Sequence, residues 1–446
     1  PFRAWLPTVA RFTRIVNFGE NQPFEDAEMV YPTVSVIEKD PAPKPFRTYF
    51  MRAGIPDSIA DAVDNEGIDC DESVFRRPEW RFQPAAVSAL LDRLMSVGRP
   101  LSDVVEGRIY RGVLTGLNDA FIVDQKTRDR LVAEDPGCAP ILRRMLRGED
   151  LRPWYQEDEG RWLIFARRGI DIAAFPSIQA HLEGFRARLE PRPEGWRGRP
   201  ADWPGRKAGS YQWYEIQDSV DYYPAFDRPK ILWPDIAKLP RFSWDATGLF
   251  TNDKCFLIDP GGPDPHLLPL LQNRLQWFCL SQICTPLRLR GGLWQFQCKK
   301  QFVERLRIPD ATTDERAALS DLALRATDIA RQRYDLDSRV RHRIVSDLAD
   351  PGRDLDLALF RWWQLDFAAF RGHVEKALGR PIPVRERADW EGTLAGWRAE
   401  HERLTAMLAG IEAEIDDRVF RLFGLGSEDV AILAAHGRSA MIDYPY

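Results

Sequence analysis

Four short segments of the 446-residue chain combine glycine, amide, basic and aromatic residues in a pattern suited to gripping a polyanion. The first is Gly107-Arg-Ile-Tyr-Arg-Gly-Val-Leu-Thr-Gly-Leu-Asn-Asp-Ala-Phe121, which offers Arg111, Thr115 and Asn118 among its glycines. The second is Trp213-Tyr-Glu-Ile-Gln217 with Phe226-Asp-Arg-Pro-Lys-Ile-Leu-Trp-Pro234 behind it, offering Arg228 and Lys230. The third, Thr251-Asn-Asp-Lys254, offers Asn252 and Lys254. The fourth runs from Leu287 to Lys300 and carries Arg288, Arg290, Gly291, Gly292, Gln295, Lys299 and Lys300. Guanidinium and ammonium groups bind phosphates, and Arg and Gln also match base edges. Glycine removes the Cβ and lets a backbone approach a duplex. These residues are the candidate DNA contacts, and a solvated charged face is the competing reading.

Other chemistry is hard to place. The sequence has no Walker A motif, no G-x-S-x-G elbow and no H-E-x-x-H. The six histidines are scattered singly. Phe18-Gly19-Glu20-Asn21 follows a strand pattern but lacks the second glycine of a nucleotide-binding turn. Asp124-Gln125-Lys126 has the form of a metal-nuclease D-x-K, and a strand end followed by a helix N-cap explains it better. The six cysteines form no C-x-x-C pair, which predicts reduced, mostly buried thiols, no metal site and a cytoplasmic location. No apolar run approaches the ~18–20 residues of a membrane span, so no membrane partner is expected.

The elements that must position these segments are mixed. Hydrophobic residues make up 44% and charged residues 29% of the chain, ordinary values for a globular protein of several domains. Net charge is −5, and 52 of the 62 basic residues are arginine. A local basic face suffices for nucleic acid even in an acidic chain. Residues 12–18 and 33–37 are β-branched runs that suit strands buried on both faces. Asp40-Pro-Ala-Pro-Lys-Pro45 reads as a linker opening a connector, 40–100, with helices near 55–64 and 85–97. In 101–310, strands are predicted at 120–124, 162–165, 230–233 and 254–258, and helices at 127–134, 176–189 and 265–284. From 313 to 435 the pattern is almost wholly helical, with an apolar helix over 356–378. Leu394, Trp397, His401, Leu404, Leu408, Ile411 and Ile415 form an a/d seam that predicts an antiparallel hairpin or bundle. Strands and helices do not alternate regularly, so the fold class is α+β.

The succession G-R-I-Y-R-G-V-L-T-G-L-N-D-A-F-I-V-D, R-R-M-L-R-G-E-D-L-R-P-W, F-P-S-I-Q-A-H-L, W-Y-E-I-Q, R-P-K-I-L-W-P-D-I, T-N-D-K-C-F-L-I, R-G-G-L-W-Q-F and L-R-I-P resembles one family. It is similar to the target-recognition region of adenine-N6 DNA methyltransferases of the Eco57I/TaqI type, including type IIG/IIL restriction–modification enzymes and phage-defence methylases. Phe420-Arg-Leu-Phe-Gly-Leu-Gly-Ser-Glu-Asp429, after Ile415-Asp-Asp, resembles the family's closing signature. Ile15-Val-Asn-Phe-Gly-Glu-Asn-Gln-Pro-Phe-Glu-Asp-Ala27, with Tyr31-Pro32, resembles the last strands of its Rossmann-like methylase domain.

The resemblance implies four parts: a methylase remnant at 1–39, the connector at 40–100, a target-recognition domain at 101–310 and a helical spacer or clamp at 311–446. It implies double-stranded DNA and the remainder of the methyltransferase polypeptide as partners. S-adenosylmethionine would be the cofactor of the parent enzyme, bound outside these residues. The N-P-P-Y/F tetrad that holds the flipped adenine, and the glycine-rich cofactor loop, do not occur in the sequence and are expected upstream of Pro1. No catalytic residue is therefore assigned. Two alternatives stay open: a non-enzymatic interaction module that uses the heptad helix, and an enzyme of another class such as a nuclease.

Overall fold

The computed structural model describes residues 5–436, apart from 20, 22, 25–31, 52–53, 77–79, 81, 291–292 and 351. Among the described residues the fold is α+β, with several small sheets and two long helices.

The first sheet contains β1 (Arg11–Asn17), β2 (Thr33–Glu38), β3 (Phe46–Phe50) and β4 (Ile68–Cys70) in the order β2-β1-β3-β4. β1 runs antiparallel to β2 and parallel to β3. The expected boundary at residue 40 therefore falls inside a sheet, because the connector segment supplies two of its strands. Phe46 and Cys70 share a core with Phe12 and Ile15, and Phe75 stacks on Phe12 at 4.8 Å. The expectation that both early strands are buried on two faces holds for part of β1 and is corrected for β2. β1 buries Phe12 and Ile15 in one core and Val16 in another, whereas every residue of β2 is exposed, including Val34, Val36 and Ile37. Tyr31 and most of 20–31 lie outside the described residues.

A central antiparallel sheet is built from β5 (Ile109–Arg111), β6 (Lys230–Pro234), β7 (Ser243–Asp245) and β8 (Cys255–Ile258), in the order β7-β6-β8-β5. β6 and β8 are buried along their whole length. Because strand side chains alternate, one face carries Ile231, Trp233, Phe256 and Ile258 into a first core. The other carries Leu232, Cys255 and Leu257 into a second. Trp233 stacks on Phe256 at 5.2 Å. Burial of each such side chain stabilises the fold by roughly 1.5–3 kcal/mol.

The second core is closed by a small sheet of Phe250–Thr251, Leu142–Leu146, Trp162–Ile164 and Ile122–Val123. Here the strand predicted at 120–124 is mostly a helical turn, Asn118–Phe121, followed by the short strand. Short apolar runs do not distinguish the two by periodicity. Asp124 caps the helix Gln125–Glu134, its carboxylate accepting the Thr127 N–H, which accounts for the D-x-K resemblance.

The first core continues into the C-terminal helices. The helix expected over 265–284 is two, α1 (Leu267–Leu271) and α2 (Arg274–Ile283). Asn273 stops the first by donating to Pro269 O and caps the second by accepting the Gln276 N–H. The predicted helix 176–189 likewise breaks, into Pro176–Glu183 and Arg186–Leu189.

Next come α3 (Thr313–Leu348), α4 (Phe367–Leu378), α5 (Arg387–Leu422) and α6 (Ser427–His436). The apolar stretch 356–378 is a short turn Leu357–Phe360 and then α4, since Asp366 starts a new helix as its N-cap. α3 and α5 form the antiparallel hairpin: Glu315 pairs with Arg418 at one end, and Arg333 meets His401 further along. Leu394, His401, Leu404, Leu408, Ile411 and Ile415 are buried in it, and Trp397 is partly buried. The heptad seam is thus spent inside the chain. Residue 310 is not a core boundary either, because Leu268, Phe278, Leu319 and Leu408 belong to one cluster. Trp154 Nε1 donates to the buried Glu412 carboxylate at 2.8 Å, and Asp416 accepts the Arg274 N–H. Among the described residues no helix is long and apolar enough to cross a membrane.

Candidate nucleic-acid interface

The Gly107–Phe121 segment wraps the open edge of the central sheet. Arg111, at the end of β5, donates to the Asp253 carbonyl at 2.9 Å and to its carboxylate at 2.8 Å. Lys254 reaches the same carboxylate at 3.6 Å. Asp253 thus gathers two of the candidate cations, whose side chains remain 46% and 65% exposed. Gly112 is required here, because a Cβ would lie 2.0 Å from Asn252 O. Asn252 itself is buried, and its side-chain carbonyl accepts the Lys254 N–H, so it shapes the turn. Thr115 is buried too and donates to Asn118 Oδ1 at 2.8 Å, which orients an exposed asparagine. Behind Arg111, Tyr222 stacks on Tyr110 at 4.7 Å and donates to Arg111 O. Burial pushes the Tyr222 phenol up to about 12.

Arg206, absent from the sequence expectations, ties this segment to the Trp213–Gln217 motif. It is 4% exposed, and all its guanidinium N–H groups go to backbone carbonyls: Leu189, Thr115, Glu215, Gln212 and Trp213, at 2.8–3.2 Å. Its cation lies 4.4 Å from the Tyr211 ring centre. Burial lowers it to about 10, with Tyr211 opposing. Nothing periodic marks it, since it stands in a Pro/Gly/Arg-rich stretch. Asp218, next to the motif, has its carboxyl raised by burial, opposed by Arg111 and Lys207.

The second motif divides. Arg228 is exposed and pairs with the buried Asp259 at 3.1 Å. Lys230 is a correction: it is fully buried in β6, donating to Phe226 O and pairing with Asp245. Burial lowers its ammonium, and Asp245 opposes. A side chain spent in this way is unavailable to a ligand.

The fourth segment is a two-stranded ribbon, β9 (Thr285–Arg290) and β10 (Leu293–Gln297). Arg288 stands opposite Gln295 and donates to its carbonyl through Nε at 2.6 Å. No residue of β10 is buried. The base of the ribbon is fixed by Ile236–Ala237 pairing with β10, by Trp233 Nε1 donating to Cys298 O, and by a Phe50–Trp294 edge contact at 6.0 Å. Lys300 Nζ donates to Ile109 O at 2.8 Å, so this lysine anchors the ribbon to β5, while Lys299 is exposed. Gly291 and Gly292 lie outside the described residues, as does the side chain of Arg290.

The structure thus brings Arg111 and Lys254 together, joins Thr115 to Asn118 and Arg288 to Gln295, and links the ribbon to β5 through Lys300. Among the described residues there is no metal-binding cluster, and all six cysteines are buried and outside any disulfide. The Phe18-Gly19 turn is held by Asn17 and Asn21, and a Cβ on Gly19 would meet Met51 O at 2.8 Å.

Residues 312–419 match a family model described only as a domain of unknown function, DUF8810. The chain is 24% identical over 330 residues to the type II methyltransferase M.XhoI of Xanthomonas vasicola. That match takes in 69% of this chain and 56% of the relative, so the chain spans little more than half the relative's length. Among solved structures, the type IIL restriction–modification enzyme MmeI in complex with DNA aligns over 96% of this chain and 45% of its own, at 12% identity and a TM-score of 0.48.

Proposed function

We propose that this chain is the DNA target-recognition portion of a site-specific, S-adenosylmethionine-dependent adenine-N6 methyltransferase of a restriction–modification or phage-defence system. The observation that carries this reading is the β9–β10 ribbon, which rests on the first core through Phe296 but buries no residue of β10, and which pairs an exposed Arg288 with Gln295. A two-stranded ribbon fits the major groove of B-form DNA. The Gln295 carbonyl holds Nε of Arg288, leaving its terminal nitrogens for the O6 and N7 acceptors of a guanine. The relationship to a type II methyltransferase supports the same reading.

In this reading Arg111, Lys254, Arg228 and Lys299 set register on phosphates, and Asn118, Arg288, Arg290 and Gln295 read base edges. Thr115, Asn252 and Lys300 position them. The helical hairpin serves as spacer or clamp. Flipping the target base costs a few kcal/mol, and a separate reading lobe offsets that cost by site-specific contacts. The cofactor and the adenine-holding tetrad belong to the remainder of the methyltransferase polypeptide.

The test is a competition-binding panel of duplexes varied one base pair at a time, with Arg288→Ala and Arg290→Ala in the full chain. Each variant is expected to lose about 1–3 kcal/mol of discrimination at one base position. Uniform changes across the panel in both variants would remove the ribbon from base readout.

A further inference from the structure

The stretch between Glu190 and Lys207 is not a slack linker. Arg206 N donates to Glu190 O and Arg192 N to Arg206 O, which closes the base of a compact surface loop. Within it Trp196 meets Trp203 edge-on at 5.1 Å, and Trp203 Nε1 donates to Glu190 O at 3.1 Å. Two glycines make this packing possible: a Cβ on Gly198 would meet the Trp196 ring at 2.8 Å, and one on Gly205 would meet Glu190 O at 2.2 Å. The loop is therefore shaped, yet it buries little of itself. Trp196 is 40% exposed, and Arg197 and Lys207 are exposed.

Its charges are unbalanced. Arg199 pairs with Asp202. Arg192 and Arg197 have no carboxylate partner among the described residues, Lys207 has the half-buried Asp218 carboxyl nearby, and Glu194 is an exposed acid beside them. The exposed Arg197 and Lys207 and the half-exposed Arg192 give this loop of a net-acidic chain a local cationic surface, an arrangement that a polyanion complements. The loop is also rooted in the candidate interface. Arg206 binds Thr115 O, and Lys207 and Arg111 face the same Asp218 carboxyl.

We propose that this Trp196–Trp203 loop is a second DNA contact, a phosphate-backbone grip on the duplex that carries no base information. The proposal rests on the reading of the chain as a DNA-recognition unit. Arg192, Arg197 and Lys207 would neutralise phosphates beside the base pairs read by the ribbon, while Trp196 covers sugar edges.

The experiment compares the full chain with the triple variant Arg192→Gln, Arg197→Gln, Lys207→Gln. Anisotropy titrations use labelled random-sequence duplexes of about three helical turns, ~30 bp, across a salt series. The slope of log K against log salt is expected to become shallower by about 2–3, from ~0.9 per phosphate neutralised. Affinity for every duplex should fall by the same factor, with the base preferences of the ribbon unchanged. An unchanged slope in the triple variant, where Lys299→Gln does flatten it, would overturn the loop contact and leave the ribbon reading standing. If the unsubstituted chain binds duplexes without salt dependence, the loop contact and the DNA-recognition reading both fall.

Discussion

β6 and the ribbon strand β10 are both five-residue antiparallel segments carrying Trp and Leu, and their fates are opposite. β6 reads Lys-Ile-Leu-Trp-Pro and is buried throughout; β10 reads Leu-Trp-Gln-Phe-Gln and is buried nowhere. An unbroken apolar run offers both faces to a core, whereas a glutamine at every second position leaves one face polar. The cationic residues follow their strands. Lys230 is sealed beside Asp245, and Arg288 lies at the surface against Gln295. A basic residue in a strand is thus informative about ligands only when the period of its neighbours is read with it.

The largest expected effect tests the buried side. Lys230→Ala leaves the Asp245 carboxylate uncompensated in the interior, still held by the N–H groups of Thr247 and Leu249. Breaking a buried pair costs about 3–5 kcal/mol. A urea titration should show that loss, while the folded fraction keeps its preferences among duplexes. A cost below about 1 kcal/mol would mean that Lys230 is not structural in the sense argued, and would erase the contrast with Arg288.

Much of the fold was legible because its signals were local and periodic. The heptad positions from Leu394 to Ile415 predicted the hairpin, and the apolar runs at 230–233 and 254–258 predicted strands, though not that both of their faces are covered. What was not legible depended on long-range partners. β3 pairs with β1 across a Pro-rich stretch that reads as a linker, and β4 with β3, since strand pairing between distant segments leaves no local pattern. Asn273 divides a helix through a capping bond that its apolar flanks conceal. In the candidate interface, the residue types in the four motifs were visible, but their division into contacts and supports was not. Lys230 and Arg228 stand two positions apart, and only packing separates the sealed one from the exposed one. Arg206 had no signal, because its partners are backbone carbonyls on three separate segments.

The hairpin supplies an intermediate test of how the interior handles charge. Arg333 Nε donates to His401 Nε2 at 3.1 Å, which requires a neutral imidazole, and Trp363 stacks on the ring at 4.6 Å. Burial, with Arg333 and Arg341, lowers His401 to about 3. The unfolded chain therefore binds a proton there that the folded chain does not between about pH 6.5 and 3, and His401 withdraws stability as pH falls through that window. Asp337 and Asp416, each raised to about 6 chiefly by burial, have the opposite sign and add stability as pH falls below 6. The measurable quantity is thus a difference. Relative to His401→Phe, which keeps the stacked ring, the unsubstituted chain should lose about 3 kcal/mol between pH 7 and 4, at ~1.4 kcal/mol per pH unit. Parallel stability curves for the two proteins would show that His401 takes up its proton without leaving the core.

The smallest effect separates two neighbouring lysines on the exposed side. Lys299 and Lys300 look interchangeable as phosphate contacts, but Lys300 Nζ is committed to Ile109 O and Lys299 is exposed. A hydrogen bond from a charged donor contributes roughly 1.5–3 kcal/mol, so Lys300→Gln should lower stability and loosen the join between ribbon and β5. Lys299→Gln removes no such bond, and its stability should change by less than about 0.5 kcal/mol. Its effect belongs to DNA: a salt slope shallower by about one, equal for every sequence, because one counterion fewer is released. If Lys300→Gln instead flattens the slope and Lys299→Gln does not, the ammonium of Lys300 leaves Ile109 when DNA is present. The division between buried anchors and exposed contacts would then fail at the residue where the two regions meet.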